Sequence, residues 1–276
     1  MNALALAYRR VRQQLRHLRG HFELDGRGNR IVRRTDFSQC QRPVLLLYGV
    51  FATRRTMQVL ERRLRRDGYC VFSLDLSRPG RVFDTRGIDD LAEIVRAKVE
   101  RMRDRYPGMG PLTIVGHSKG GLIGAYYVKR LGGDRRVRAL VTLGTPHNGT
   151  PTTWAALPMA LFDRSILQMT PRSAFVRHLQ AGRWPAGVRL TSVYSRRDRL
   201  TPFPAAVLET HGLGHVHNVE VDSSHRGFLV KKGVYVEVLR AILGGEAAAG
   251  PRRAPRTDEP SAAREGAAVG SKQAAG

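Results

Sequence analysis

The chain has 276 residues, an ordinary apolar share of 42% and a formal charge of +24 carried mostly by arginine. That length holds one large α/β domain or two small ones, with ample material for a core. Two cysteines and no apolar run long enough for a helical membrane span exclude a disulfide scaffold and an integral helical membrane protein.

So basic a surface favours anionic partners such as phospholipid head groups or acidic substrates, although solvated arginines account for the same charge without any partner. Nucleic acid is disfavoured, because there is no basic-aromatic ribonucleoprotein motif and no zinc-finger spacing. Cys40 and Cys70 lie close to predicted strand starts. One bridge between them is conceivable, but two reduced thiols are the simpler expectation. The opening ALALAY is short and is followed by arginines, so no export signal is legible. The expectation is a cytoplasmic protein, peripheral to a membrane at most.

In the first 22 residues Leu4, Tyr8, Val11, Leu15, Leu18 and Phe22 share one helical face, and arginines fill much of the rest. This predicts a basic amphipathic helix within an arm over 1–42. It suits either an anionic membrane surface or docking on the chain's own body. From Pro43 the pattern turns regular. Residues 44–49 predict a buried strand, 56–68 a helix stopped by Gly68, and 69–76 a strand. A loop with Pro79 and Gly80 follows, then a strong amphipathic helix over 88–106 with Asp89 and Asp90 at its N-terminus. A strand over 112–116 and a helix over 121–131 come next. Strands follow over 137–144, 188–195 and 215–222, and a closing helix over 227–243. This alternation predicts an α/β fold with a mostly parallel sheet and helices on both faces, over 43–245. The segment 150–186 breaks the alternation and reads as a lid inserted over the sheet's C-terminal edge. The tail 246–276 has almost no large apolar residues and is expected to be disordered.

The chemistry centres on LTIVGHSKGG. A serine between two glycines, at a corner from strand to helix, has the form of a nucleophile elbow. The tight turn demands Gly116 and Gly120. It lifts the Ser118 hydroxyl and aims the backbone N–H of Lys119 at an oxyanion. Serine needs a histidine to take its proton and a carboxylate to orient that histidine. Asp198 in YSRRDRLTP follows the strand 188–195, and His225 in VDSSHRGFL precedes the last helix. Asp163 and Asp222 compete for the acid. His211, His215 and His217 are read as structural or exposed, and His117 as turned away by the elbow. A second oxyanion donor belongs to the loop YGVFATRRT, with the N–H of Val50 preferred and Phe51 next.

The stretches LLLYGVFATRR, VGHSKGG, LGTPHNGTP, SRRDRLTP and SSHRGFL together resemble lipases and esterases of the α/β-hydrolase superfamily, over about 43–243. The phrases TPHNGT and QMTPRSAFVRHL resemble the lid region of bacterial triacylglycerol lipases. The resemblance implies the α/β-hydrolase fold and a serine carboxylester hydrolase acting through an acyl-enzyme, without metal or cofactor. Two positions depart from the family pattern. Tyr48 stands where a histidine is usual. Lys119 stands after the serine, where it would bring positive charge to the site unless it turns to solvent. That charge suggested an anionic substrate, a phospholipid or a fatty acyl carrier. The lid residues Leu157, Met159, Leu161, Phe162, Ile166 and Leu167 suit either an acyl pocket or packing on the core. An acyltransferase or thioesterase on the same three residues, or a peripheral membrane-binding protein, are the competing readings.

Overall fold

A computed structural model describes residues 36–76, 86–161 and 163–249. The helix expected over the first 22 residues, Phe162 and the tail beyond 249 lie outside the described residues.

Runs of β-branched and aliphatic residues form a six-stranded parallel sheet. The strands are β1 (Pro43–Leu47), β2 (Cys70–Ser73), β3 (Leu112–His117), β4 (Val137–Leu143), β5 (Arg189–Tyr194) and β6 (Val216–Glu220), in the order β2-β1-β3-β4-β5-β6. Every residue of β1, β3 and β4 is buried. Such strands are covered on both faces, which is why they read as continuous apolar runs rather than alternating ones. The helices are α1 (Gln58–Arg66), α2 (Ile88–Arg105), α3 (Lys119–Arg130), α4 (Ser165–Gln168), α5 (Ala174–Gln180) and α6 (Lys232–Ala249).

Right-handed crossovers decide which face each helix covers. From β1 the chain moves outward to β2, and from β2 it moves back past β1 to β3 and on to β4. α1 therefore lies on one face and α2 and α3 on the other. α6 joins α1: Tyr235 donates to Asp67 Oδ2 at 2.6 Å and Arg63 reaches Lys231 O at 3.3 Å. The reversal of strand order falls between β1 and β3. There the loops after the two strands diverge and leave a crevice at the sheet's C-terminal edge.

Element boundaries follow the sequence reading within a few residues, with two differences. The closing segment is not one helix. A turn at Gly227–Leu229 precedes α6, which starts at Lys232. That helix also runs past Glu246, where the tail was expected to begin. Glu246 is held there by Arg42, whose Nε and Nη2 each donate to its carboxylate at 2.9 Å.

Residues 36–42, assigned to the arm in the sequence, pack on the body. Phe37 and Cys40 are buried in a small cluster with Met102 and Met109. The expectation of two reduced thiols is overturned. Cys40 and Cys70 are joined in a disulfide, with their Cα atoms 6.3 Å apart. The bridge ties the entry segment to the edge strand β2, a pairing that spacing alone does not reveal. Closing a loop of sequence separation 30 stabilises the fold by about 3–4 kcal/mol on the chain-entropy argument. Unreduced protein is expected to show no titratable thiol under denaturing conditions, and reduction to lower the urea midpoint. Two free thiols in the unreduced protein would refute the bridge.

Candidate active site

The corner between β3 and α3 is the tightest place in the fold. A Cβ on Gly116 would lie 2.5 Å from the Gly121 Cα, and one on Gly120 only 2.2 Å from the Leu47 carbonyl oxygen. Ser118 between them takes φ 54° and ψ −125°, a conformation that costs a side-chain-bearing residue roughly 1–3 kcal/mol. Neighbouring groups hold it there. Its N–H donates to Leu143 O at 2.9 Å, and its carbonyl accepts from Thr145 Oγ1 at 3.0 Å. Across the crevice the chain leaving β1 passes so close that a Cβ on Gly49 would meet the Ser118 Cβ at 2.9 Å.

Asp198 and His225 arrive from the loops after β5 and β6. The amides of Leu200 and Thr201 donate to Asp198 Oδ1 at 2.9 and 3.0 Å. Oδ2 is left to His225 Nδ1, 2.8 Å away, and both side chains are buried. Thus one carboxylate oxygen is fixed by the backbone and the other fixes the imidazole. Ser118, His225, Gly49, Val50 and Phe51 line one cavity of about 190 Å³. Its remaining wall is largely apolar and includes Ala52, Ile166, Met169 and Leu229. Phe51 has φ 50°, so the loop after Val50 turns sharply here. Of the lid residues singled out in the sequence, Ile166 is buried in this wall, whereas Leu157 and Leu167 are exposed. Phe162 and the side chains of Met159 and Leu161 fall outside the described part.

The competing residues sit elsewhere. Asp222 is exposed and bonded to Arg197, and His211 is exposed beside Glu209. His117 is not turned away. Its ring lies 4.6 Å from that of His225, and its Nε2 donates to the His225 carbonyl at 3.0 Å. The strand places it there, because β3 continues through His117 up to the elbow.

Lys119 resolves differently from either expectation. Its side chain reaches neither solvent nor the cavity that Ser118 lines. It is buried, and its Nζ lies 3.1 Å from Asp163 Oδ2. The other oxygen, Oδ1, accepts from the Ser165 N–H at 2.9 Å and from the Ser165 hydroxyl. The lysine charge is therefore neutralised by the lid, and the argument from Lys119 to an anionic substrate falls. Nothing in the sequence pairs these two residues, which stand 44 positions apart. Tyr48, the other departure from the family pattern, is buried and accepts from the Leu76 N–H at 2.8 Å, bracing the end of β1.

The phrase TPHNGTPTT anchors the start of the segment 150–186. Thr150 and Thr152 both donate to Leu200 O, at 2.9 and 2.7 Å, and Asn148 Nδ2 donates to Val207 O at 2.8 Å. His147 is fully buried against Thr142 Oγ1, 2.9 Å from its Nε2, and burial pushes its pKa down to about 3. Among the described residues no cluster of His, Cys, Asp or Glu could hold a metal ion, and no helix is long and apolar enough to cross a membrane.

Two outcomes follow from these buried groups. Lys119→Met leaves the Asp163 carboxylate buried without its cation and is expected to cost about 3–5 kcal/mol in chemical denaturation. Adding Asp163→Leu should recover most of that loss, and a double variant as unstable as the single would refute the pairing. His147 acts through pH. The unfolded chain takes a proton near the ordinary 6.5, whereas the folded one resists it down to about 3. Its contribution is complete above pH 6.5 and is lost as pH falls through that window. His147→Gln should flatten the dependence of stability on pH between 6.5 and 4 by at most about 1.4 kcal/mol per pH unit. An unchanged slope would contradict the neutral, buried imidazole.

Residues 42–180, about half of the chain, match the sequence model of the family described as alpha/beta hydrolase fold. No curated protein matches the sequence. Among solved structures, Aspergillus fumigatus lipase B superposes with a TM-score of 0.61 at 17% identity, over 77% of this chain and 55% of that one. The chain thus spans about half the length of that lipase. Bacillus licheniformis lipase BlEst2 gives a TM-score of 0.55 at 14% identity, over 78% of this chain and 96% of that one. The Pyrococcus furiosus esterase Pf2001 gives 0.54 at 19% identity, over 76% and 83%. At such identities the likeness speaks for the architecture. With the family match across the elbow and the parallel sheet around it, the chain belongs to the α/β-hydrolase fold family.

Proposed function

We propose that the protein is a serine carboxylester hydrolase of the lipase or esterase kind, working through an acyl-enzyme. The observation that carries the reading is the buried 2.8 Å Asp198–His225 bond at a cavity wall shared with Ser118. Ser118 Oγ attacks the ester carbonyl while His225 Nε2 takes its proton. Asp198 keeps the proton of His225 on Nδ1, so that Nε2 faces the serine as a base. The tetrahedral oxyanion is received by the backbone N–H groups of Val50 and Lys119, each worth about 2.7–4 kcal/mol in comparable sites. His225 passes its proton to the departing alcohol oxygen. Water then attacks the acyl-serine with His225 again as base, which releases the acid and restores Ser118. No cofactor enters these steps.

The substrate's acyl part is apolar in this reading, because the cavity wall of Ala52, Ile166, Met169 and Leu229 offers it little else. The exposed Trp154 and Leu200 flank the lid root and suit contact with a lipid substrate. The structural neighbours known as lipases and esterases point the same way. As to place, the Cys40–Cys70 bridge favours an oxidising compartment over the cytoplasm, since structural disulfides persist there.

Hydrolysis of p-nitrophenyl esters from acetyl to palmitoyl, with Ser118→Ala as control, tests the proposal. Turnover is expected in the wild type and loss of at least about a thousandfold in the variant, whose fold is kept. Full activity in Ser118→Ala would sink the mechanism. Activity confined to the shortest chains would narrow the protein to an esterase.

A further inference from the structure

His225 lines two compartments of opposite character. On one side is the apolar cavity of about 190 Å³ that holds Ser118. On the other is an open depression of about 760 Å³ with five cations on its wall, Arg196, Arg197, Arg199, Arg226 and Lys231. Among the described residues only His225 and Leu200 line both. Among the described residues two carboxylates reach into the basic cluster: Glu220 lies 3.1 Å from Arg196, and Asp222 lies 3.1 Å from Arg197 and 3.9 Å from Lys231. A surplus of positive charge therefore remains, and Arg199, on the exposed rim, has no carboxylate within ion-pair distance among the described residues.

We propose that this depression is a subsite for a phosphate group on the alcohol half of the ester. The inference rests on the ester-hydrolase reading, in which His225 hands its proton to the leaving alcohol. The alcohol must then lie on a side of His225 that the acyl chain does not fill, and the basic depression is that side. Guanidinium forks match phosphate oxygens in pairs of parallel hydrogen bonds, which a neutral hydroxyl cannot offer. The low-polarity cavity on the other side takes the acyl chain. The preferred substrate is thus an acyl ester of a phosphorylated alcohol, held at both ends with its carbonyl at Ser118. The cations do not come from Lys119, whose charge Asp163 neutralises.

The test compares 1-hexanoylglycerol with 1-hexanoylglycerol 3-phosphate, both as monomers in solution, so that no lipid surface is present. The expected result is a kcat/KM about tenfold or more in favour of the phosphate ester, the scale of one charge-assisted hydrogen bond. The ratio should shrink with added salt. Arg199→Gln and Arg197→Gln/Arg199→Gln should lower that ratio stepwise, whereas Arg62→Gln, on the exposed side of α1, keeps it. Hydrolysis of both esters at equal efficiency would overturn the subsite and leave the hydrolase standing. Absence of Ser118-dependent hydrolysis of either would remove the hydrolase reading and the subsite with it. A preference seen only with long-chain esters in vesicles would assign the cations to a bilayer surface and overturn the subsite as well.

Discussion

The turn from β3 into α3 governs the rest of the site. Three backbones converge there: the strand leaving Val115, the helix starting at Lys119, and the end of β1 at Leu47. The close approaches at Gly116 and Gly120 leave no room for a side chain. Ser118 carries the strain of that convergence in its positive φ. Such strain persists only where the surroundings over-determine it. Here the Leu143 carbonyl and the Thr145 hydroxyl do so, and both come from the end of β4 and the loop after it. The position of Ser118 is therefore a property of three adjacent strands, not of a flexible loop. The carboxylate is treated in the same way, with one oxygen fixed by the Leu200 and Thr201 amides.

The lid is joined to this frame by two kinds of contact. At its root, Thr150 and Thr152 bind the carbonyl of Leu200, two residues beyond Asp198. Further along, Asp163 meets the lysine that follows the serine. A buried ion pair is weak evidence for stability, because desolvation offsets most of its attraction. What it supplies here is register. A carboxylate with one oxygen on Ser165 and the other on Lys119 has few alternative seats, so the segment around Asp163 packs beside the turn in one alignment.

Most of the frame was legible in the sequence because its signals are local. Apolar runs of strand length, amphipathic helices with acidic starts, and a Gly-x-Ser-x-Gly corner all occupy adjacent residues. Asp198 and His225 could be singled out because each directly follows a predicted strand. What the sequence hid depends on residues far apart in the chain. Cys40 meets Cys70 only because the entry segment folds beside the edge strand. Lys119 meets Asp163 only because the lid turns back over the elbow, and this reversed the meaning of the lysine charge. His117 was misread because the strand, not the elbow, sets its direction. Glu246 extends the last helix through Arg42, a partner at the opposite end of the domain.

That Arg42–Glu246 pair also ties the start of β1 to the end of α6. β1 begins one residue after Arg42 and α6 ends three residues after Glu246, so both lie at the N-terminal pole of the sheet. The crevice opens at the opposite pole, roughly 20 Å away along strands of this length. A substitution that breaks the Arg42–Glu246 pair therefore loosens the joint between the start of β1 and the end of α6 at a distance from Ser118.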